Sequence, residues 1–288
     1  MRQVQQKAKA KINLFLSVGE KAANGYHPVD TVMQTVSLSD TVRIAKADSG
    51  IHLTLTGADL PADESNLAYR AAALFLQAFS VDSGVDIALH KEIPAGAGLG
   101  GGSADAAAVL RGMRALFDIP CDTQRLCEMG ALLGADVPFC VRGGACRGEG
   151  IGERLTPCAA LPPCCVVIAK PNVGISTAAA YAAVDALAPV EMLSADGMLH
   201  ALSEGKLHDI CNHLYNRFED AVYPNYPQIT VLTDKLVAAG ARGAIMTGSG
   251  SAVFGIFELS QERSARAVVD ALRATGNFAC LTAPAMSE

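Results

Sequence analysis

Apolar and polar residues alternate over several stretches of the first ninety residues, which predicts strands at residues 8–18, 40–46, 51–56 and 85–90. Elsewhere, apolar residues recur every three or four positions, which predicts helices at residues 66–79, 104–117, 123–133, 176–188 and 229–239. A buried strand is predicted at 164–169, and a pair of strands at 244–246 and 253–257. Because strands and helices mix without a regular alternation of the two, the predicted fold class is α+β.

A run of small residues separates the strand at 85–90 from the helix at 104–117. It opens the segment PAGAGLGGGSADAAAVLRGM, which extends from Pro94 to Met113, and five glycines stand in the run at positions 96, 98, 100, 101 and 102. With no bulky side chains, the backbone N–H groups of such a run can approach an anion closely, and the following helix adds its N-terminal partial positive charge. The order strand, glycine loop, helix therefore predicts a phosphate-binding loop and nucleotide chemistry.

Other interpretations of this loop carry less weight. Gly96, Gly98 and Gly101 satisfy the dinucleotide pattern G-x-G-x-x-G, but any glycine run does so easily, and that motif usually opens its domain. The nucleotide motif that needs Lys before Ser or Thr is excluded, because Gly102 precedes Ser103. A tight turn that only packs a helix on a strand is the remaining alternative, although such a turn rarely needs five glycines.

Composition narrows the class of protein. The chain has 288 residues, of which 50% are hydrophobic and 18% charged, so it can bury a sizeable core. A net charge of −6 argues against a nucleic-acid partner. The nine cysteines include no C-x-x-C pair, which argues against a zinc site or a disulfide framework and favours a reducing cytoplasm. No apolar stretch approaches the ~18 residues of a membrane span. Prolines near residue 157 predict two domains, 1–157 and 158–288.

Two groups of polar residues near the start of the chain are candidates for ligand binding. On a strand, Lys9, Lys11 and Asn13 share one face, which is either functional or simply solvated. Tyr26 offers a stacking surface and His27 offers hydrogen-bonding groups for a heterocycle. On these residues alone, a surface turn is the favoured interpretation of the second group.

Two later segments are also ambiguous. Asp136 lies among apolar neighbours after a helix, where it either caps the next helix or accepts a proton from a hydroxyl substrate. The segment 247–251, Thr-Gly-Ser-Gly-Ser, is a second glycine loop between strands. A hairpin turn is favoured there over a loop that closes on phosphates.

Together these segments resemble the GHMP kinase superfamily. The resemblance runs nearly end to end and rests on the segments 10–14, 25–27, 94–103, 134–138 and 248–251. It implies a two-domain GHMP kinase fold with a glycine-rich phosphate loop at a helix N-terminus. It also implies an ATP-dependent small-molecule kinase that phosphorylates the 2-hydroxyl of the methylerythritol part of a cytidine-diphosphate-linked sugar alcohol, in non-mevalonate isoprenoid precursor synthesis.

The same resemblance implies roles for individual residues. Asp136 would take the hydroxyl proton, and Lys11 beside it would keep that carboxylate ionised and steady the nucleophilic oxygen. The implied ATP-binding residues are Pro94, Ala95, Gly96, Ala97, Gly98, Leu99, Gly100, Gly101, Gly102, Ser103 and Ala104, with Asn66 near the adenine. Asn13 and Thr177 would position the substrate, Tyr26 and Tyr181 would stack on the cytosine ring, and His27 would hydrogen-bond to it. Mg²⁺ is implied as cofactor, with Ser103 near it.

The chain departs from the resemblance at Asp105, where many members carry Asn, so that a negative charge stands one turn from the phosphates. No second carboxylate is marked as a metal ligand. The alternatives are a GHMP kinase for a different small alcohol, a non-catalytic nucleotide-binding protein and, on the glycine pattern alone, an NAD-dependent oxidoreductase. The protein is expected to be a cytoplasmic monomer or homodimer without nucleic-acid or membrane partners.

Overall fold

The structure is a computed structural model that describes residues 2–23 and 25–285. Its strands are β1 (Gln3–Val18), β2 (Val29–Ala47), β3 (Ile51–Thr56), β4 (Gly84–His90), β5 (Ala145–Glu149), β6 (Arg154–Pro157), β7 (Cys165–Lys170), β8 (Tyr215–Asn216), β9 (Gly243–Met246), β10 (Val253–Phe257) and β11 (Phe278–Thr282). Its α-helices are α1 (Leu67–Ala78), α2 (Gly101–Phe117), α3 (Thr123–Ala131), α4 (Val137–Arg142), α5 (Thr177–Asp185), α6 (Asp196–Glu204), α7 (Leu207–Asn212), α8 (Phe218–Val222), α9 (Pro227–Ala238) and α10 (Glu262–Ala274). A 3₁₀ turn, Leu259–Gln261, precedes α10.

The mixture of strands and helices confirms the predicted α+β class. The predicted strand at 51–56 matches β3, and the predicted pair at 244–246 and 253–257 forms the antiparallel strands β9 and β10. The predicted bounds of two strands need correction. Strand β1 begins five residues before the strand predicted at residue 8, and β2 begins eleven residues before the strand predicted at residue 40.

The chain forms two compact units, each made of separate segments. The first comprises the residues up to Ala10, Leu38–Ala95 and Gly100–Gly143. The second comprises Lys11–Ser37, Gly96–Leu99 and the residues from Gly144 onward. Unlike the predicted domains, these units are not continuous, because β1 and β2 each contribute residues to both of them. The division of the chain into domains 1–157 and 158–288 stays a prediction.

In the first unit, an alanine-rich helix lies very close to a sheet. The strand order there is β3-β4-β2-β1, with β3 parallel to β4 and β4 antiparallel to β2. A Cβ atom on Gly112 of α2 would lie 2.7 Å from Ile44 Cδ1 of β2, so a larger side chain does not fit without a shift. The small residues of α2 therefore allow close packing, and they are buried with the aliphatic residues of β2 and β4 and with Phe75 of α1 in one core.

The second unit holds an antiparallel sheet of order β11-β7-β10-β9. Every residue of β10 is buried, as are the first five of β7, so both strands read as continuous apolar runs. Helix α10 buries Ala265, Val268 and Leu272 on one face and leaves charged residues on the other, which is the pattern of a helix that covers a sheet. The core of this unit is again mostly aliphatic.

Candidate active site

The glycine run forms a loop that ends in the N-terminus of α2. Gly96, Gly98 and Gly100 have φ values of +59°, +74° and +69°, a left-handed backbone that L side chains rarely adopt. Helix α2 begins at Gly101, three residues earlier than predicted, so Gly101, Gly102 and Ser103 form its first turn. The N–H groups of a first turn have no intrahelical acceptor. A Cβ on Gly96 would meet nothing within 4 Å, so the loop leaves open space beside it.

Within the second unit, the loop after β9 packs tightly on the middle of the glycine run. A Cβ on Gly98 would lie 2.1 Å from the backbone oxygen of Thr247, and a Cβ on Gly248 would lie 2.9 Å from the backbone oxygen of Gly98. Ala252 N also donates to Ala97 O at 3.2 Å. The segment 247–251 is the hairpin connection that was favoured, because it joins β9 to the antiparallel β10. The contact with Gly98 is an additional feature that its sequence does not indicate.

Lys11 and Asn13 are buried, so their interpretation as a solvated face is wrong. Lys11 Nζ donates to Asn13 Oδ1 at 2.7 Å, and the Lys11 backbone N–H donates to Leu99 O at 3.0 Å. Asn13 N donates to Thr247 Oγ1 at 3.0 Å, and Asn13 Nδ2 donates to Thr31 Oγ1 at 2.9 Å. Buried polar groups of this kind need such partners, and the network fixes the lysine and the amide beside the glycine residues 96–99. The two threonines were not among the predicted site residues.

His27 lies in a second cluster of the same unit. Its ring stacks on Tyr181 with centroids 4.7 Å apart, and Tyr181 makes an edge contact with Phe218. His27 Nε2 and Asp185 Oδ1 are 2.6 Å apart; an ionised carboxylate only accepts, so the ring nitrogen is the donor. The structure thus brings His27 and Tyr181 together, while Tyr26 is 59% exposed. Asp185 is a partner that the sequence did not single out.

Other predicted residues lie at helix N-termini. Asn66 caps α1, since its Oδ1 accepts from Ala68 N at 2.9 Å. Asp136 stands at the N-cap position of α4 but makes no capping hydrogen bond, so its interpretation as a helix cap is wrong. Thr177 begins α5, where its Oγ1 lies 3.2 Å from Ser249 Oγ. The roles of these residues toward ATP or substrate stay predictions.

A buried lysine joins two carboxylates in the first unit. Lys91 Nζ donates to Asp105 Oδ2 at 2.5 Å and also to Asp40 Oδ2. Burial raises the pKa of the Asp105 carboxyl, although the positive charge of Lys91 pulls it in the opposite direction. Asp105 therefore has a cationic partner, which its sequence neighbours do not reveal.

The residues that the structure describes contain neither a cluster of metal-binding side chains nor a membrane-spanning helix. Across residues 2–23 and 25–285, histidine, cysteine and acidic side chains form no group of three or more suited to a metal ion. Within the same residues, no helix has the length and apolar character to cross a membrane.

Comparisons with known proteins agree with one another. The N-terminal domain of the GHMP kinases matches residues 66–144, and the C-terminal domain of the GHMP kinases matches residues 198–277. The chain is 42% identical over 268 residues to a 4-diphosphocytidyl-2-C-methyl-D-erythritol kinase of Exiguobacterium sibiricum, which covers 93% of both chains. It is similar to the crystal structure of a 4-(cytidine 5'-diphospho)-2C-methyl-D-erythritol kinase, with a TM-score of 0.83 and 37% sequence identity. That match covers 98% of this chain and 100% of the other. A homoserine kinase from Cytophaga hutchinsonii shares the fold, with a TM-score of 0.77 and 19% sequence identity over 99% of this chain and 95% of the other.

Proposed function

Because the chain belongs to the GHMP kinases, and within them to the 4-diphosphocytidyl-2-C-methyl-D-erythritol kinases, we propose that it transfers the terminal phosphoryl group of ATP to the 2-hydroxyl of 4-diphosphocytidyl-2-C-methyl-D-erythritol. The structural observation that carries this proposal is the glycine loop. Its left-handed glycines end at a helix whose first turn offers unpaired N–H donors. That arrangement suits the phosphates of a nucleotide.

The phosphates would be held by backbone groups of residues 94–104. Phosphoryl transfer requires mainly positioning and charge stabilisation, and fixed N–H groups supply both without reorganising during the reaction. Mg²⁺ bound to the phosphates would neutralise further charge, and the hydroxyl of Ser103 in the first turn of α2 is the group proposed to lie near it. Asn66, which caps α1, would lie near the adenine.

Lys11 and Asp136 would act on the acceptor hydroxyl. Asp136, at the N-terminus of α4, is the carboxylate that would act as the general base and receive the hydroxyl proton. Lys11 is held by Asn13, so its ammonium group has a fixed direction and would steady the attacking oxygen. Asn13 and Thr177 would position the sugar alcohol.

The cytidine part of the substrate would be recognised by Tyr26, His27 and Tyr181. Tyr26 is exposed and could stack on one face of the cytosine ring, and Tyr181 would cover the other face. His27 would hydrogen-bond to the base, with its Nε2 already donating to Asp185. A small alcohol that carries no nucleobase has no ring for these aromatic side chains to stack on. The aromatic pair therefore favours the cytidine-linked acceptor over the acceptors of other GHMP kinases.

A coupled assay of ADP release tests the proposal. The purified protein would be given ATP, Mg²⁺ and either 4-diphosphocytidyl-2-C-methyl-D-erythritol, 2-C-methyl-D-erythritol 4-phosphate, homoserine or mevalonate. We expect release only with the cytidine-linked acceptor, and ³¹P NMR should place the new phosphate on its 2-hydroxyl. Release with homoserine or mevalonate alone would assign the chain to another kinase of the superfamily. ATP binding with no release for any acceptor would favour a non-catalytic protein.

A further inference from the structure

The buried ion-pair cluster in the first unit connects three separate elements. Asp40 lies on β2, Lys91 directly follows β4, and Asp105 lies on α2. All three residues are at most 5% exposed. Asp40 Oδ1 also accepts from the backbone N–H groups of Glu92 and Ile93, at 2.5 and 2.8 Å. The chain that leads from β4 toward the glycine loop is therefore tied to β2 through one carboxylate.

The cluster lies against the first residue of α2. A Cβ on Gly101 would be 3.5 Å from Lys91 Nζ and 3.1 Å from Ile93 Cγ2. The ammonium group thus stands at the helix end where backbone N–H groups lack intrahelical acceptors. A positive charge at that place favours anions, whereas a buried carboxylate opposes them.

Lys91 donates to one oxygen of Asp40 and to one oxygen of Asp105, and the second oxygen of Asp105 accepts no hydrogen bond from the described residues. That oxygen, Asp105 Oδ1, is buried. Removing the lysine would take this cation away from two buried carboxyl groups, a change that is strongly unfavourable. Both the position of α2 and the charge at its N-terminus therefore depend on Lys91.

We propose that Lys91 is a positioning residue, whose ammonium group ties the N-terminal end of α2 to β2 through Asp105 and Asp40 and offsets the negative charge that these two carboxylates bring to that helix end. The positioning follows from contacts within the first unit alone. Only its consequence for ATP rests on the proposed function.

Hydrogen exchange on the free protein tests the positioning without any ligand. We expect Lys91→Met to raise the exchange rates of amides 104–107 about tenfold or more, because these N–H groups donate back to the carbonyl groups of residues 100–103 and the N-terminal end of α2 loses its tie to β2. Lys46→Met is the matched control, since this exposed lysine lies over Phe117 at the other end of the same helix. Unchanged exchange in Lys91→Met, or the same increase in Lys46→Met, would overturn the proposal.

Calorimetric titration with Mg·ATP tests the charge effect. Lys91→Met should raise the Kd of ATP about tenfold or more, Asp105→Asn should leave it within about threefold, and the double variant should recover much of the loss. The KM of the alcohol acceptor should change far less than that of ATP. A double variant as weak as Lys91→Met would reject the role of charge, as would equal losses for both substrates. If the unmodified protein binds no ATP, the proposed function fails, while the exchange experiment still decides the positioning.

Discussion

Gly98→Ala perturbs the contact between the glycine run and the loop after β9, and its cost can be worked out from two observations. The residue has a φ of +74°, and an L residue in the left-handed region costs about 1–2 kcal/mol. The new Cβ would in addition lie 2.1 Å from the backbone oxygen of Thr247, and backbone cannot move aside as a flexible side chain can. Such overpacking adds roughly 1–3 kcal/mol, so we expect a total loss of about 2–5 kcal/mol.

Gly96→Ala provides the matched control within the same loop. Gly96 also has a positive φ, of +59°, but a Cβ there would meet nothing within 4 Å. It should therefore lose only the conformational part, about 1–2 kcal/mol. Urea unfolding of both variants measures the difference, and an ATP titration shows whether the shifted loop also binds the nucleotide less well. Equal unfolding free energies for the two variants would refute the steric reasoning.

Three further predictions concern the acceptor, the base and the pH dependence of stability. Asp136→Asn should lower kcat about 10²- to 10⁴-fold, the contribution of a general base, and leave the Kd of ATP within a few-fold; unchanged turnover would remove Asp136 as the base. Tyr26→Ala should raise the KM of the cytidine-linked acceptor more than that of ATP in steady-state assays, and equal effects on both would contradict stacking. Burial raises the pKa of Glu219 above a glutamate's ordinary value of 4.5. Between the ordinary pKa and the raised pKa, the folded chain keeps a proton that the unfolded chain has released, so the free energy of unfolding falls as the pH rises from one to the other. When the free energy of unfolding in urea is measured at a series of pH values, it should depend less on pH in Glu219→Gln than in the unmodified protein. The exposed Glu262→Gln should show no such change. The same pH dependence in Glu219→Gln and the unmodified protein would count against this assignment.

The sequence by itself determined the local elements and the family. Strand β3 and helix α1 lie within a residue of their predicted bounds, and Asn66 caps α1, because alternation, helical periodicity and caps depend on neighbours within a few residues. The glycine run likewise indicated a turn-rich loop before a helix. The start of the helix was missed by three residues, since glycine has a low helix propensity and the sequence therefore favoured a later start.

The tertiary structure alone decided which polar residues are buried together. Asn13 meets Thr247 across 234 positions of chain, and Lys91 meets Asp40 across 51, separations over which periodicity carries no information. The same applies to Lys11, which a strand pattern places on a polar face but which the surrounding residues bury. Burial and pairing arise when distant segments pack against each other, so the character of Asp105 as the partner of a buried lysine became visible only in the folded chain.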